Sequence, residues 1–123
     1  MVLVDTSVWV SHFRETHDGL VGLLNRAEVV CHPFIIGELA CGNLKNRAEI
    51  ISLLEALPAA VVVEHHELLS FIEIRNIMGK GLGYIDVHLL AGALSTGIPL
   101  WTLDKKLHGV AEGLQCNYRR KTR

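Results

Sequence analysis

The chain has 123 residues, a formal net charge of −1, and hydrophobic side chains at half of its positions. That length suits one domain with a proper core, and the near-neutral balance excludes a protein that grips nucleic acid through bulk charge alone. Its apolar stretches fall far below the roughly 20 residues that span a bilayer, and no basic leader with an apolar run and cleavage site opens it, so a cytoplasmic protein is expected. Cys31, Cys41 and Cys116 are odd in number and unpaired in spacing, which speaks against a disulfide framework and a zinc site; Cys31 and Cys41 read as small core residues. The apolar surplus points to surface that is buried against a partner.

Met1-Val-Leu-Val predicts a buried strand, because β-branched side chains suit a sheet covered on both faces. The run stops at Asp5. Thr6 and Ser7 start a helix, along which Val8, Trp9 and Phe13 recur at helical spacing. Asp5 therefore falls where a parallel strand ends and a helix begins, the edge at which open α/β sheets bind ligands. Leu20 to Ala27 predicts a second helix opened by Asp18-Gly19, and Val29-Val30-Cys31 a second strand. Pro33 suits the first turn of a helix that runs through Glu38 to a stop at Gly42-Asn43. Ala48 to Leu57 is a further helix, ended by Pro58.

Ala60-Val61-Val62-Val63 is the clearest β run and predicts a third strand. Leu68 to Met78 is helical; Gly79, Gly81 and Gly83 then make a flexible connection. Tyr84 to Thr96 predicts an almost wholly apolar helix with Gly97 as its C-terminal cap. Ile98 to Thr102 is a fourth strand, Asp104 to Ala111 a last short helix, and Leu114 to Tyr118 a possible edge strand. Strands alternating with helices demand parallel pairing with helical crossovers, hence an α/β fold. Residues 1–118 read as a single domain and 119–123 as a loose basic tail. That tail, Lys105-Lys106, and Lys45 with Arg47 are candidates for a local positive rim facing phosphates.

The chain has four aspartates, and three of them, Asp5, Asp86 and Asp104, take comparable places beside predicted strand ends. Each has a structural reading: Asp5 and Asp104 as helix caps, Asp86 as an acid in the first turn of its helix. All three structural readings holding together is less expected than any one. Glu38 is the fourth candidate, because its neighbours one turn away are Phe34 and Cys41 rather than polar residues. If the four converged, each close pair of charges would repel by about 4 kcal/mol at an effective dielectric near 20. Cations would have to intervene, and oxygen-only ligands select a hard ion, Mg²⁺ or Mn²⁺. The chemistry such a site supports is phosphodiester hydrolysis. Thr6, Ser7 and Thr102 stand beside these acids as candidates to orient them or touch phosphate.

The pieces Val4-Asp5-Thr6-Ser7-Val8-Trp9, Ile36-Gly37-Glu38-Leu39, Gly83-Tyr84-Ile85-Asp86 with Leu89-Leu90-Ala91-Gly92-Ala93, and Thr102-Leu103-Asp104 occur in that order across nearly the whole chain. As an ordered set they resemble a PIN domain, specifically the VapC toxins of bacterial VapBC toxin–antitoxin systems. The resemblance implies an α/β/α sandwich with a central twisted, mainly parallel sheet of four or five strands. It also implies an Mg²⁺- or Mn²⁺-dependent endoribonuclease that cuts structured RNA such as tRNA or rRNA and stops translation. By matching positions Asp5, Glu38, Asp86 and Asp104 would be its catalytic and metal-binding acids. A homodimer and a cognate VapB-type antitoxin, whose tail covers the acidic groove, are the implied partners.

Val87-His88-Leu89-Leu90 departs from the usual residues after the third acid. His88 reads as a core or surface histidine and His65-His66 as a loop feature. Two rivals stand beside this reading: a non-catalytic PIN-like RNA binder, and a phosphoacceptor receiver domain. The second conflicts with the absence of any aspartate between Asp18 and Asp86.

Overall fold

The computed structural model describes residues 1–120. Lys121 and Arg123 of the expected tail lie outside them. The elements, in order, are β1 (Val2–Val4), α1 (Thr6–Arg14), α2 (Asp18–Asn25), β2 (Val29–Val30), α3 (Pro33–Ala40), α4 (Arg47–Ala56), α5 (His65–Arg75), α6 (Tyr84–Thr96), β3 (Leu100–Trp101) and α7 (Lys105–Gly113). Both neighbours of β1 run parallel to it, in the order β2-β1-β3. Val2, Leu3 and Val4 are all buried although successive side chains point to opposite faces, so both faces of the sheet are covered. This is the α/β architecture with layered helices that the alternating pattern demands.

The sheet is narrower than the four or five strands expected. Its outer positions are single parallel bridges, Cys31 to Ala59 beyond β2 and Leu100 to Asn117 beyond β3. The predicted third strand at Ala60 to Val63 does not form a ladder, despite its composition. The Ala60 amide still donates to the Cys31 carbonyl at 2.8 Å, but from Val61 onward the backbone is engaged elsewhere. The Val61 amide donates to Thr96 Oγ1 at 3.0 Å, and that hydroxyl donates to the Gly92 carbonyl at 2.6 Å. The Val61 carbonyl rests on α6 at Gly92, where a Cβ would stand only 2.9 Å from it. Gly92 thus permits the backbone approach that draws this segment out of the sheet.

Val87 to Ala93 of α6 are buried without interruption, so the helix has no solvent face over two turns. It ends as expected at Gly97, in left-handed backbone at φ 77°. Gly79 and Gly81 also take positive φ in the turn before α6. His65 and His66 belong to the first turn of α5 rather than to a loop. Cys31 is buried as expected, but Cys41 is exposed, since it is the C-cap of α3 on the outer side of that helix. None of the helices among the described residues is long and apolar enough to cross a membrane.

His32 caps α3: its Nδ1 accepts the Phe34 amide at 3.0 Å while its ring is fully buried. The His88 ring centroid lies 6.2 Å away, and His88 itself is a core residue packed edge-on by Phe34 and Tyr84. Burial, and then the neighbouring His88, push the His32 imidazolium down to about 4. An unfolded histidine binds its proton near 6.5, so the unfolded chain gains a proton that the native one refuses. The contribution is whole above that value and is lost as pH falls toward about 4. About 2 kcal/mol of it should be gone near pH 5. Urea unfolding near pH 7.5 and pH 5 measures this against His32→Asn, which keeps a capping acceptor but cannot titrate. The variant should be the less acid-sensitive; equal losses in both proteins would refute the assignment to His32.

Candidate active site

β1 delivers Asp5 to the carboxyl edge of the sheet, where the Asp5 amide donates to the Trp101 carbonyl of β3 at 2.9 Å. The carboxylate is buried, and its Oδ2 accepts Ser7 Oγ and Thr102 Oγ1, each at 2.7 Å, with the Ser7 amide at 3.4 Å. Each hydroxyl spends its one proton on Asp5, and their lone pairs accept in turn. Ser7 Oγ takes the Leu103 amide at 2.9 Å and Thr102 Oγ1 the Asp104 amide at 3.0 Å. Asp5 and Ser7, with Thr102 nearly a hundred positions further on, thus stitch the ends of β1 and β3 together and set where Asp104 stands.

Asp104 caps α7, its Oδ1 accepting the Lys106 and Leu107 amides at 2.9 and 3.0 Å. Asp86, in the first turn of α6, accepts the Gly83 amide on Oδ2 at 3.1 Å. Glu38 is exposed on α3 and accepts Thr6 Oγ1 on Oε1 at 2.7 Å, which ties it to the first turn of α1 beside Asp5. The capping readings of Asp5, Asp86 and Asp104 therefore all hold at once, contrary to the expectation that they would not. They do not exhaust these groups. Each of the four acids commits one oxygen to the fold; Asp5 Oδ1, Glu38 Oε2, Asp86 Oδ1 and Asp104 Oδ2 have no protein donor among the described residues. Nor does a lysine, arginine or histidine form an ion pair with any of them there.

The Asp86 carboxyl is pushed above the usual range, first by burial and then by the charges of Asp5 and Asp104, against the opposing Gly83 hydrogen bond. These three acids therefore share one electrostatic neighbourhood, and Glu38 is held by Thr6, the residue after Asp5. Among the described residues, no group of three or more His, Cys, Asp or Glu side chains is disposed to hold a metal ion unaided. The donor set is carboxylate and hydroxyl only, which is hard-ion chemistry. Tyr84, in the same first turn of α6 as Asp86, is half exposed, with its hydroxyl 2.9 Å from His65 Nδ1.

This parallel sheet with acids gathered at its carboxyl edge is that of a PIN domain, whose family description matches residues 2–113, and the chain belongs to that family. Within it the chain is of the VapC type. It is 46% identical over 108 residues to proteins named Ribonuclease VapC32 from two strains of Mycobacterium tuberculosis, covering 87% of this chain and 87% of the relative. The crystal structure of PAE2754 from Pyrobaculum aerophilum shares the fold, with a TM-score of 0.60 over 91% of this chain and 80% of that one, at 18% identity. The receiver-domain reading falls with this membership.

Proposed function

We propose that the chain is the toxin of a VapBC-type toxin–antitoxin pair, a divalent-metal-dependent endoribonuclease that hydrolyses phosphodiester bonds in structured RNA such as tRNA or rRNA. The observation that carries this reading is the set of four carboxylates that, among the described residues, each keep one uncommitted oxygen and form no ion pair. Asp5, Asp86 and Asp104 would hold Mg²⁺ or Mn²⁺, with Glu38 acting directly or through water. The ion, when bound, would supply neutralisation of phosphate charge and a more acidic water. Ser7 and Thr102 position Asp5 by fixing its Oδ2, and Thr6 does the same for Glu38. An uncommitted carboxylate oxygen accepts the proton of the attacking water.

Residues 1–118 form the catalytic domain in this reading and 119–123 a basic appendage, working in the cytoplasm. A VapB-type antitoxin covers the acids, and a second copy of the chain completes a homodimer. Exposed apolar residues such as Leu53, Val62, Leu69 and Ile74 support partners of this kind. The test is cleavage of a folded RNA by the purified chain, free of antitoxin. Chelation should abolish it and added Mg²⁺ or Mn²⁺ should restore it. Chelator-resistant cleavage, or RNA binding without turnover at every level of divalent ion, would overturn the proposal.

A further inference from the structure

The described basic residues do not form one continuous rim, although Lys45 lines a cleft with Thr6 and Glu38. Arg47 caps the carbonyls of Ala40 and Gly42 at the end of α3. Arg26 is paired with Glu28 at 2.7 Å. Arg119 and Arg120 line a cleft with Asp18 and Glu28 at the amino edge of the sheet, opposite the acids.

A different set converges. Arg75 at the end of α5, Lys80 in the glycine turn, and Lys105 and Lys106 at the start of α7 line an open cleft of about 510 Å³. No carboxylate lines it, and none of the four is in an ion pair among the described residues. The Lys106 side chain lies over Gly81, where a Cβ would stand 3.1 Å from Cδ and 3.2 Å from Nζ. Unopposed cations in one concavity repel each other, so the arrangement favours an anionic occupant. The cleft adjoins the acids through its own walls. Lys105 and Lys106 directly follow Asp104, whose Oδ1 the Lys106 amide binds. The Gly81 turn leads in two residues to Gly83, whose amide binds Asp86.

We propose that this cleft binds the sugar–phosphate backbone of the RNA substrate beside the scissile linkage, so that Lys80, Lys106, Lys105 and Arg75 position the strand over Asp86 and Asp104. The inference rests on the ribonuclease reading. RNA is favoured over the antitoxin because a peptide that covers four carboxylates must bring positive charge, which this cleft repels. Contacts to phosphate fix register and carry no base information, so all sequences should feel their loss alike.

The test uses the full chain in chelator and a short fluorescent hairpin RNA, with affinity measured across salt concentrations. Lys80→Ala with Lys106→Ala should weaken binding about tenfold or more near 0.1 M salt, and make the slope of log affinity against log salt shallower by about 1.4–1.8. Arg119→Ala with Arg120→Ala removes the same charge from the far edge and should leave affinity within about twofold. Lys80→Arg with Lys106→Arg should restore binding, which separates lost charge from lost fold. Unchanged affinity in the lysine-to-alanine pair, equal weakening in both alanine pairs, or a wild-type chain that does not bind the RNA would each overturn the proposal. Cleavage by the wild-type chain in Mg²⁺ is scored separately. Intact cleavage with unaltered binding in the lysine pair would sink the cleft and leave the ribonuclease reading standing.

Discussion

Asp5→Asn is expected to lower RNA cleavage by about 10³-fold or more while the protein stays folded. Asparagine has nearly the same shape and can still offer an amide oxygen to Ser7 Oγ and Thr102 Oγ1, the donors that hold Asp5 Oδ2. Asparagine is also a good N-cap, so α1 should start as before. What changes is the other side of the group. The uncommitted Oδ1 becomes an NH₂, a donor pointing where a cation would have to come. Two readouts follow. Cleavage should vanish, and the rise in melting temperature expected of the wild-type chain in Mg²⁺ should shrink with it. Asp18→Asn is the control, because Asp18 lines the cleft at the opposite edge; it should keep full activity. Wild-type cleavage by Asp5→Asn would remove Asp5 from the reaction, whatever its place in the fold.

Truncation of Leu89 should have the largest effect on stability. Leu89 is fully buried in α6, inside the main core cluster with β1 and β3. Leu89→Ala deletes buried methyl and methylene groups and leaves a cavity that a helix enclosed on all sides cannot easily close. A loss of about 3–5 kcal/mol is expected. Against a typical total of about 5–15 kcal/mol, that leaves the chain marginal and lowers its melting temperature by roughly 10–20 °C. Urea or thermal unfolding measures it. A drop below about 1 kcal/mol would mean that α6 is less tightly enclosed than its burial indicates. Because α6 carries Asp86 in its first turn, the same variant should lose cleavage at temperatures where Asp5→Asn is still folded.

The two substitutions separate what local sequence encodes from what packing encodes. α6 was legible almost to the residue, because a long apolar run between Gly83 and Gly97 has one helical solution with glycine at its C-terminal end. β1 and the position of Asp5 after it were legible for a similar reason: valines ending in a capping residue mark a strand-to-helix junction. The Ala60 to Val63 run shows the limit. Its β-branched residues satisfy every local rule for a strand, yet Thr96 and Gly92, more than thirty positions away, take its backbone onto α6. No pattern within the segment could show that competition.

The sequence by itself determined the alternation of elements, the candidate acids Asp5, Glu38, Asp86 and Asp104, and the hydroxyls beside them. Residue type and strand-end position are local properties, and local rules read them. Only the tertiary structure decided that Ser7 and Thr102 share one oxygen of Asp5, that each acid keeps a second oxygen uncommitted among the described residues, and that Arg75 and Lys80 join Lys105 and Lys106 while Arg119 and Arg120 go to the far edge. These are relations among residues distant along the chain. They depend on which helix crosses to which face of the sheet, and that is settled by packing of the whole core rather than by any stretch within it.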